Sequence, residues 1–170
     1  MLQINHLSVT HIRDLRPIVT DFSLVLQPGE KAAVIGEEGN GKSTLLKLIY
    51  DDSLVAGYAE WTGQILRGQN RLGYLPQELT PEEQAQTVQA YWSCRSPLSA
   101  PEEAALLKQL DLPEALATWD RPLSRLSGGE RIKLQLARLL TAQPDILLLD
   151  EPSNDLDLTG LEFLEHFLST

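Results

Sequence analysis

Gly36-Glu37-Glu38-Gly39-Asn40-Gly41-Lys42-Ser43 is the stretch on which the reading of this chain turns. It has the spacing G-x-x-x-x-G-K-S. A short apolar run, Lys31-Ala32-Ala33-Val34-Ile35, precedes it and is expected to form a fully buried strand. Ser43-Thr44-Leu45-Leu46-Lys47-Leu48-Ile49 follows it and has the apolar spacing of a helix. Strand, glycine-rich loop and helix in that order form the context in which such a loop cradles phosphates. The glycines let the backbone approach phosphate oxygens, and successive N–H groups converge at a helix N-terminus. The expected site is Gly36, Gly39, Asn40, Gly41, Lys42, Ser43 and Thr44, with Lys42 reaching the β- and γ-phosphates and Ser43 ligating Mg²⁺. A chance glycine-rich turn is the plain alternative. Glu37 and Glu38 are unusual beside a triphosphate: either they point to solvent or they weaken nucleotide binding.

Outward from this stretch, strands and helices alternate. Gln3 to Val9 and Asp21 to Leu26 alternate polar and apolar residues, as half-buried strands do. Gln27-Pro28-Gly29-Glu30 reads as a turn. Gln64 to Leu66 and Arg71 to Leu75 read as further short strands. From about Thr80 to Arg125 the composition turns Ala-, Gln-, Glu- and Leu-rich. Thr80-Pro81-Glu82-Glu83 and Ala100-Pro101-Glu102-Glu103 look like helix starts, with proline early and acids in the first turn. An inserted helical subdomain is expected there. A helix over Arg131 to Thr141, a buried strand over Asp145 to Asp150 and an amphipathic helix over Leu158 to Leu168 complete the pattern. The pattern implies an α/β fold with a mainly parallel sheet.

Two further motifs carry chemistry. Ile146-Leu147-Leu148-Leu149-Asp150-Glu151-Pro152 is an apolar strand ending in two carboxylates. At the carboxyl end of a parallel strand they face the ligand crevice. Asp150 suits Mg²⁺, a hard cation, and Glu151 suits a general base for an attacking water. Two solvated acids at a strand end are the plain alternative. Leu126-Ser127-Gly128-Gly129-Glu130 contains a capping box, S-x-x-E, and its glycines leave bare N–H groups at a helix start, a second anion site. Alone, it would read as an ordinary capped helix.

In this order, the phosphate loop, the Leu-Ser-Gly-Gly-Glu signature and the Leu-Leu-Leu-Asp-Glu-Pro strand resemble the ATP-binding cassette (ABC) ATPases over nearly the whole chain. The resemblance implies a P-loop NTPase core with an N-terminal antiparallel β subdomain and an inserted helical subdomain. The divisions would be 1–77 for the β subdomain and phosphate-loop core, 78–125 for the helical subdomain and 126–170 for the signature, Walker B and D-loop. It implies ATP and Mg²⁺ as ligands and hydrolysis as the activity. Gln77 matches the glutamine that contacts Mg²⁺ and the attacking water, although an exposed polar residue after a strand is the bland reading. Asp157 matches the D-loop, and His11 falls where the family places an aromatic that stacks on adenine, or is a plain strand-end histidine. Ser127, Gly128 and Gly129 would bind the γ-phosphate held by a second cassette in a head-to-tail dimer.

Glu151-Pro152-Ser153-Asn154-Asp155-Leu156-Asp157 is similar to the ABC-F group, cytoplasmic ATPases that act on ribosomes, with Asp155 where that group has histidine. The helix around Leu161 to Leu168 also looks like that group's. The runner-up is the ATP-binding subunit of a transporter, which would need a membrane-domain partner. A nucleotide-gated binding module without turnover is the third reading. The family's switch histidine, which follows the next strand, has no counterpart before Thr170, and His166 comes too early. The expectation is therefore a C-terminally shortened cassette with weak or no turnover by these residues alone, either part of a longer protein or a naturally short product.

The chain has 170 residues, with 14 Lys and Arg against 24 Asp and Glu, a net charge of −10. That excludes a generic basic patch for nucleic acid, so basic ribosome contacts would lie elsewhere. Cys94 is the one cysteine, which excludes a disulfide framework. The sequence shows no signal peptide and no apolar stretch long enough for a membrane span, so a cytoplasmic protein is expected.

Overall fold

The computed structural model describes residues 1–37, 39–93, 98–113, 119–154 and 156–169. Glu38, Cys94 and Asp155, each singled out in the sequence, lie outside the described residues. The chain folds as two compact units. One is Met1–Tyr74 with Asp145–Asp150; the other is Leu75–Pro144 with Glu151–Thr170.

The first unit is built on a three-stranded antiparallel sheet in the order β2–β1–β3, with β1 Leu2–His11, β2 Pro17–Leu26 and β3 Ala59–Leu66. The alternation along β1 slips once. Leu2 and Ile4 are buried, then Leu7 and Val9, so one extra residue falls between the two pairs. The ladder to each neighbour shifts register at that point, and His6 sits there at φ 49°. Opposite it, Gly63 has φ 97°, and a Cβ there would lie 2.5 Å from the His6 carbonyl oxygen. Only glycine fits so close a backbone approach.

Helix α1, Lys42–Tyr50, buries Leu45, Leu48 and Ile49, the i, i+3, i+4 positions of one stripe. They join Leu2, Ile4, Leu7, Val9 and Leu148 in one core. Arg67 caps the helix C-terminus, Nε to the Ile49 carbonyl at 2.6 Å and Nη2 to that of Leu48 at 2.8 Å. Strands β4 Leu72–Leu75 and β5 Ile146–Leu149 form a parallel pair. Arg71 and Asp145 clamp its start: the Asp145 N–H donates to the Arg71 carbonyl at 2.8 Å, and the Arg71 N–H to Asp145 Oδ2 at 2.7 Å.

One expected strand does not form. Residues 31–35 are assigned to no strand and are exposed throughout, Ile35 to 93%. An apolar run is a buried strand only where neighbours pair with its edges and elements cover both faces. The run of β5 finds such a neighbour in β4. The run at 31–35 follows the Pro28-Gly29 turn straight into the phosphate loop and stays exposed.

The second unit is helical: α2 Pro81–Ala85, α3 Val88–Trp92, α4 Ala100–Gln109, α5 Gly128–Thr141 and α6 Leu158–Ser169. Capping boxes start α2 at Thr80 and Glu83, α4 at Ser99 and Glu102, and α5 at Ser127 and Glu130. The cap of α4 is thus Ser99, one residue before the Ala100 read from sequence. Helix α3, capped by Thr87 Oγ1 accepting from the Ala90 N–H at 3.1 Å, is an addition to the sequence reading. Val88, Tyr91, Trp92, Leu107, Leu110, Leu134 and Ala137 form its core, with Phe163 and Phe167 of α6 stacked at 6.2 Å beside it. No helix among the described residues is long and apolar enough to cross a membrane.

Candidate functional site

In the first unit the phosphate loop leads into α1 through Gly41, which is its N-cap at φ 82°. Among the described residues no side chain caps this helix start, and the N–H groups of a helix N-terminus favour an anion. Gly39 is also left-handed, at φ 78°, and the Asn40 N–H donates back to the Glu37 carbonyl at 3.3 Å. A Cβ on Gly41 would meet the Ile18 Cγ2 of β2 at 2.0 Å. Glycine is therefore required there for dihedral and for space. Lys42 folds its Nζ over the loop, 3.0 Å from the carbonyl oxygens of both Gly36 and Glu37. Its charge is thereby held over the loop that carries it.

Ser43 and Asp150, 107 positions apart, meet: the hydroxyl donates to Oδ1 at 2.9 Å. Asp150 is 1% exposed, and its other oxygen accepts from the Tyr74 hydroxyl at 2.9 Å. Burial, then the Asp150 carboxylate, hold the Tyr74 phenol well above its ordinary value, so it stays a donor. Thr44 Oγ1 accepts from the Tyr58 hydroxyl at 3.5 Å, and the Tyr58 ring lies 6.4 Å from His11. His11 ends β1, and its Nδ1 pairs with Asp14 Oδ1 at 2.9 Å. Its backbone N–H donates to Arg16, two residues from the Ile18 that packs on Gly41. His11 and the phosphate loop therefore flank the same hairpin end.

In the second unit Glu151 is held by two amides. Gln77 Nε2 donates to Oε2 at 3.2 Å and Asn154 Nδ2 to the same oxygen at 2.8 Å. Glu151 sits at φ 47°, a left-handed conformation that costs a non-glycine residue about 1 kcal/mol or more and is most often kept where a side chain must be aimed. The signature forms the start of α5. The Glu130 N–H donates to Ser127 Oγ at 3.2 Å, the Ser127 N–H to Glu130 Oε2 at 2.9 Å, and Arg121 Nη2 to Glu130 Oε1 at 2.9 Å. Partial burial pushes the Glu130 carboxyl up, but the Ser127 backbone N–H, the Arg121 guanidinium and the Ser127 hydroxyl outweigh it and hold the pKa below its ordinary value. Gly128 and Gly129 open the helix. A Cβ on Gly129 would come 3.7 Å from Asp157 Oδ1, and that oxygen accepts from the Gly160 N–H at 2.8 Å, capping α6.

Sequence reasoning missed three of these partners. Tyr74 and Tyr58 carried no motif, and their contacts are long-range. Asn154 was legible in principle, as an amide three residues after Glu151 in a tight turn.

Among the described residues no three His, Cys, Asp or Glu side chains are grouped to hold a metal ion. Mg²⁺, however, is bound through one or two protein oxygens plus substrate phosphates and water rather than by an all-protein cage. The Ser43 hydroxyl and Asp150 carboxylate, already within hydrogen-bond distance, are the hard oxygen donors that suit it.

The first unit thus carries a glycine-rich helix start and a hydroxyl–carboxylate pair, and the second unit carries a capped glycine start. Residues 19–154 match the family model described as ABC transporter, and the chain belongs to that family of ATPase domains. The ribosome protection protein VmlR of Bacillus subtilis is 32% identical over 162 residues, covering 95% of this chain and 28% of that protein. The tylosin resistance ATP-binding protein TlrC of Streptomyces fradiae is 33% identical over 204 residues, covering 95% and 36%. The zinc import ATP-binding protein ZnuC of Cereibacter sphaeroides is 35% identical over 162 residues, covering 94% and 63%. The chain thus spans less than two thirds of the length of each of these relatives. A solved ABC transporter ATP-binding protein from Pyrococcus furiosus superposes with TM-score 0.74 at 23% identity, over 99% of this chain and 84% of that one. A chain of a metal-chelate type ABC transporter in an inward-facing conformation gives TM-score 0.74 at 25% identity, over 98% and 66%. The α/β P-loop NTPase fold of the family is the fold of this chain.

Proposed function

We propose that this chain binds MgATP and, in a head-to-tail pair with a second cassette, hydrolyses it. The observation that carries this reading is the Ser43–Asp150 hydrogen bond, which joins the phosphate loop to the strand-end carboxylate. Backbone N–H groups from Gly36 to Thr44 bind the phosphates, and Lys42 exchanges its two loop carbonyls for β- and γ-phosphate oxygens. His11 stacks on the adenine. Ser43, Asp150 and Gln77 would hold Mg²⁺, which when bound would neutralise charge on the phosphates. Glu151 takes the proton of the attacking water, oriented for it by the amides of Gln77 and Asn154. Ser127, Gly128, Gly129 and Asp157 contact the nucleotide held by the second cassette.

The protein is of the ABC-F type, a ribosome-associated ATPase of the cytoplasm. The Glu151-to-Asp157 stretch supports this, as does similarity to VmlR, a ribosome protection protein by name, and to TlrC. Similarity to ZnuC favours a second reading, the ATP-binding subunit of a transporter with a membrane-domain partner. A third is a nucleotide-gated module without turnover. Two measurements on the full-length protein separate them. Co-sedimentation with ribosomes in ATP, strengthened by Glu151→Gln, is expected for ABC-F; co-purification with a membrane subunit instead would establish the transporter. ATP-dependent phosphate release abolished by Glu151→Gln, with nucleotide affinity kept, is expected for an ATPase. No release from the unmodified protein, with nucleotide bound, would establish the module.

A further inference from the structure

Helix α5 carries two side chains for which the proposed chemistry has no use. Arg131 and Gln135 stand four residues apart, on one face of the helix. Gln135 is 8% exposed, and its Oε1 accepts no hydrogen bond among the described residues. The Nε of Arg131 is equally buried and donates none, while its Nη2 reaches the Leu126 carbonyl at 3.3 Å. Leaving such a donor or acceptor unmatched costs about 1–3 kcal/mol each, so a buried pair of them calls for a partner. Both residues line a cavity of about 30 Å³, walled also by Gln77, Gly128, Glu151 and Asn154.

Size and charge select the occupant. A water needs roughly 10–15 Å³ of such volume and two to four polar partners, so the cavity has room for one or two waters and for no organic ligand. The Arg131 guanidinium disfavours a cation there, and the Glu151 carboxylate disfavours an anion. What remains is a neutral molecule able both to accept and to donate.

We propose that the cavity is a site for one buried water, which accepts from Arg131 Nε and donates to Gln135 Oε1. Its second hydrogen serves the Gln77–Glu151–Asn154 cluster on the facing wall. Gln135 is thereby a positioning residue: through the water it steadies the turn that holds Glu151 at its left-handed φ. The water site stands on the cavity alone; its kinetic meaning rests on the reading of Glu151 as the base.

Two experiments on the full chain test this. A crystal structure at a resolution that shows ordered water should place one within hydrogen-bond distance of both Arg131 Nε and Gln135 Oε1. Amide hydrogen exchange on Gln135→Met, which keeps length and loses the acceptor, should speed exchange about five-fold at Asn154, the equivalent of one lost hydrogen bond, and leave the α5 amides unchanged. Gln135→Glu, which keeps an acceptor, should exchange as the unmodified protein does. A dry cavity, or unchanged Asn154 exchange in Gln135→Met, overturns the proposal. Faster Asn154 exchange with undiminished phosphate release would support the water and contradict the role given to Glu151.

Discussion

Two helices of this protein start on glycines, and they satisfy their first N–H groups differently. At α1 the N-cap is Gly41, left-handed and without a side-chain acceptor. At α5 the cap is Ser127, closed by Glu130 into a capping box that Arg121 ties down. The first start has no side-chain cap among the described residues, and such a start favours an anion. The second is complete without any ligand. Under the proposed function, the difference separates the start that takes the phosphates from the one that holds its own shape. Glycine content alone does not distinguish the two; the side chain at the N-cap does.

The comparison can be broken by substitution at each start. The largest effect is expected at the loop. Gly41→Ala combines a strained φ with a Cβ driven into Ile18, and should destabilise the first unit by about 3 kcal/mol in a denaturant titration. A cost under about 1 kcal/mol would show that the loop re-forms easily and does not depend on this geometry. Ser127→Ala is next. Loss of the cap should cost about 1 kcal/mol of stability in the second unit, with nucleotide affinity of the isolated chain unchanged. A loss of affinity in a monomer would contradict the assignment of this start to a partner's nucleotide.

The smallest effect sharpens the contrast through pH. Because the Glu130 carboxyl is held below its ordinary value, its contribution is present above the ordinary Glu pKa and is lost as pH falls through the folded value. Urea midpoints of the second unit should therefore drop on acidification more for the unmodified protein than for Glu130→Gln. The side chain is 40% exposed, so solvent keeps the difference small. Equal slopes for the two proteins would remove the carboxylate from the account of the cap.

Much of this was legible before any coordinates, for identifiable reasons. The Ser127–Glu130 capping box, the loop glycines and the strand-end acids are local patterns whose spacing is their mechanism, whereas the cap of α4 lies at Ser99, one residue before the start read from sequence. The bulge in β1 lies within Gln3 to Val9, which the sequence reading takes as plain alternation although two polar residues, Asn5 and His6, separate Ile4 from Leu7. Ser43 and Asp150 were both named from sequence, though their meeting is tertiary. Tyr74 and Tyr58 were not legible, because a tyrosine's partner across the fold leaves no trace in its neighbours. Lys31 to Ile35 was misread as buried, because apolar content signals burial only if another segment supplies the edge and the cover. Glu151 shows a related limit: its φ of 47° follows from the turn that binds it to Gln77 and Asn154, not from its own propensity.

The central claim is that the glycine-capped start at α1 is a nucleotide site to which Lys42 contributes its charge. Titration of the full chain with a fluorescent ATP analogue, with and without Mg²⁺, tests it directly. The account predicts saturable, Mg²⁺-strengthened binding that Lys42→Ala weakens by at least about ten-fold, the effect of losing a charge-assisted contact of roughly 1.5–3 kcal/mol. Equal affinity of Lys42→Ala and the unmodified chain would contradict it.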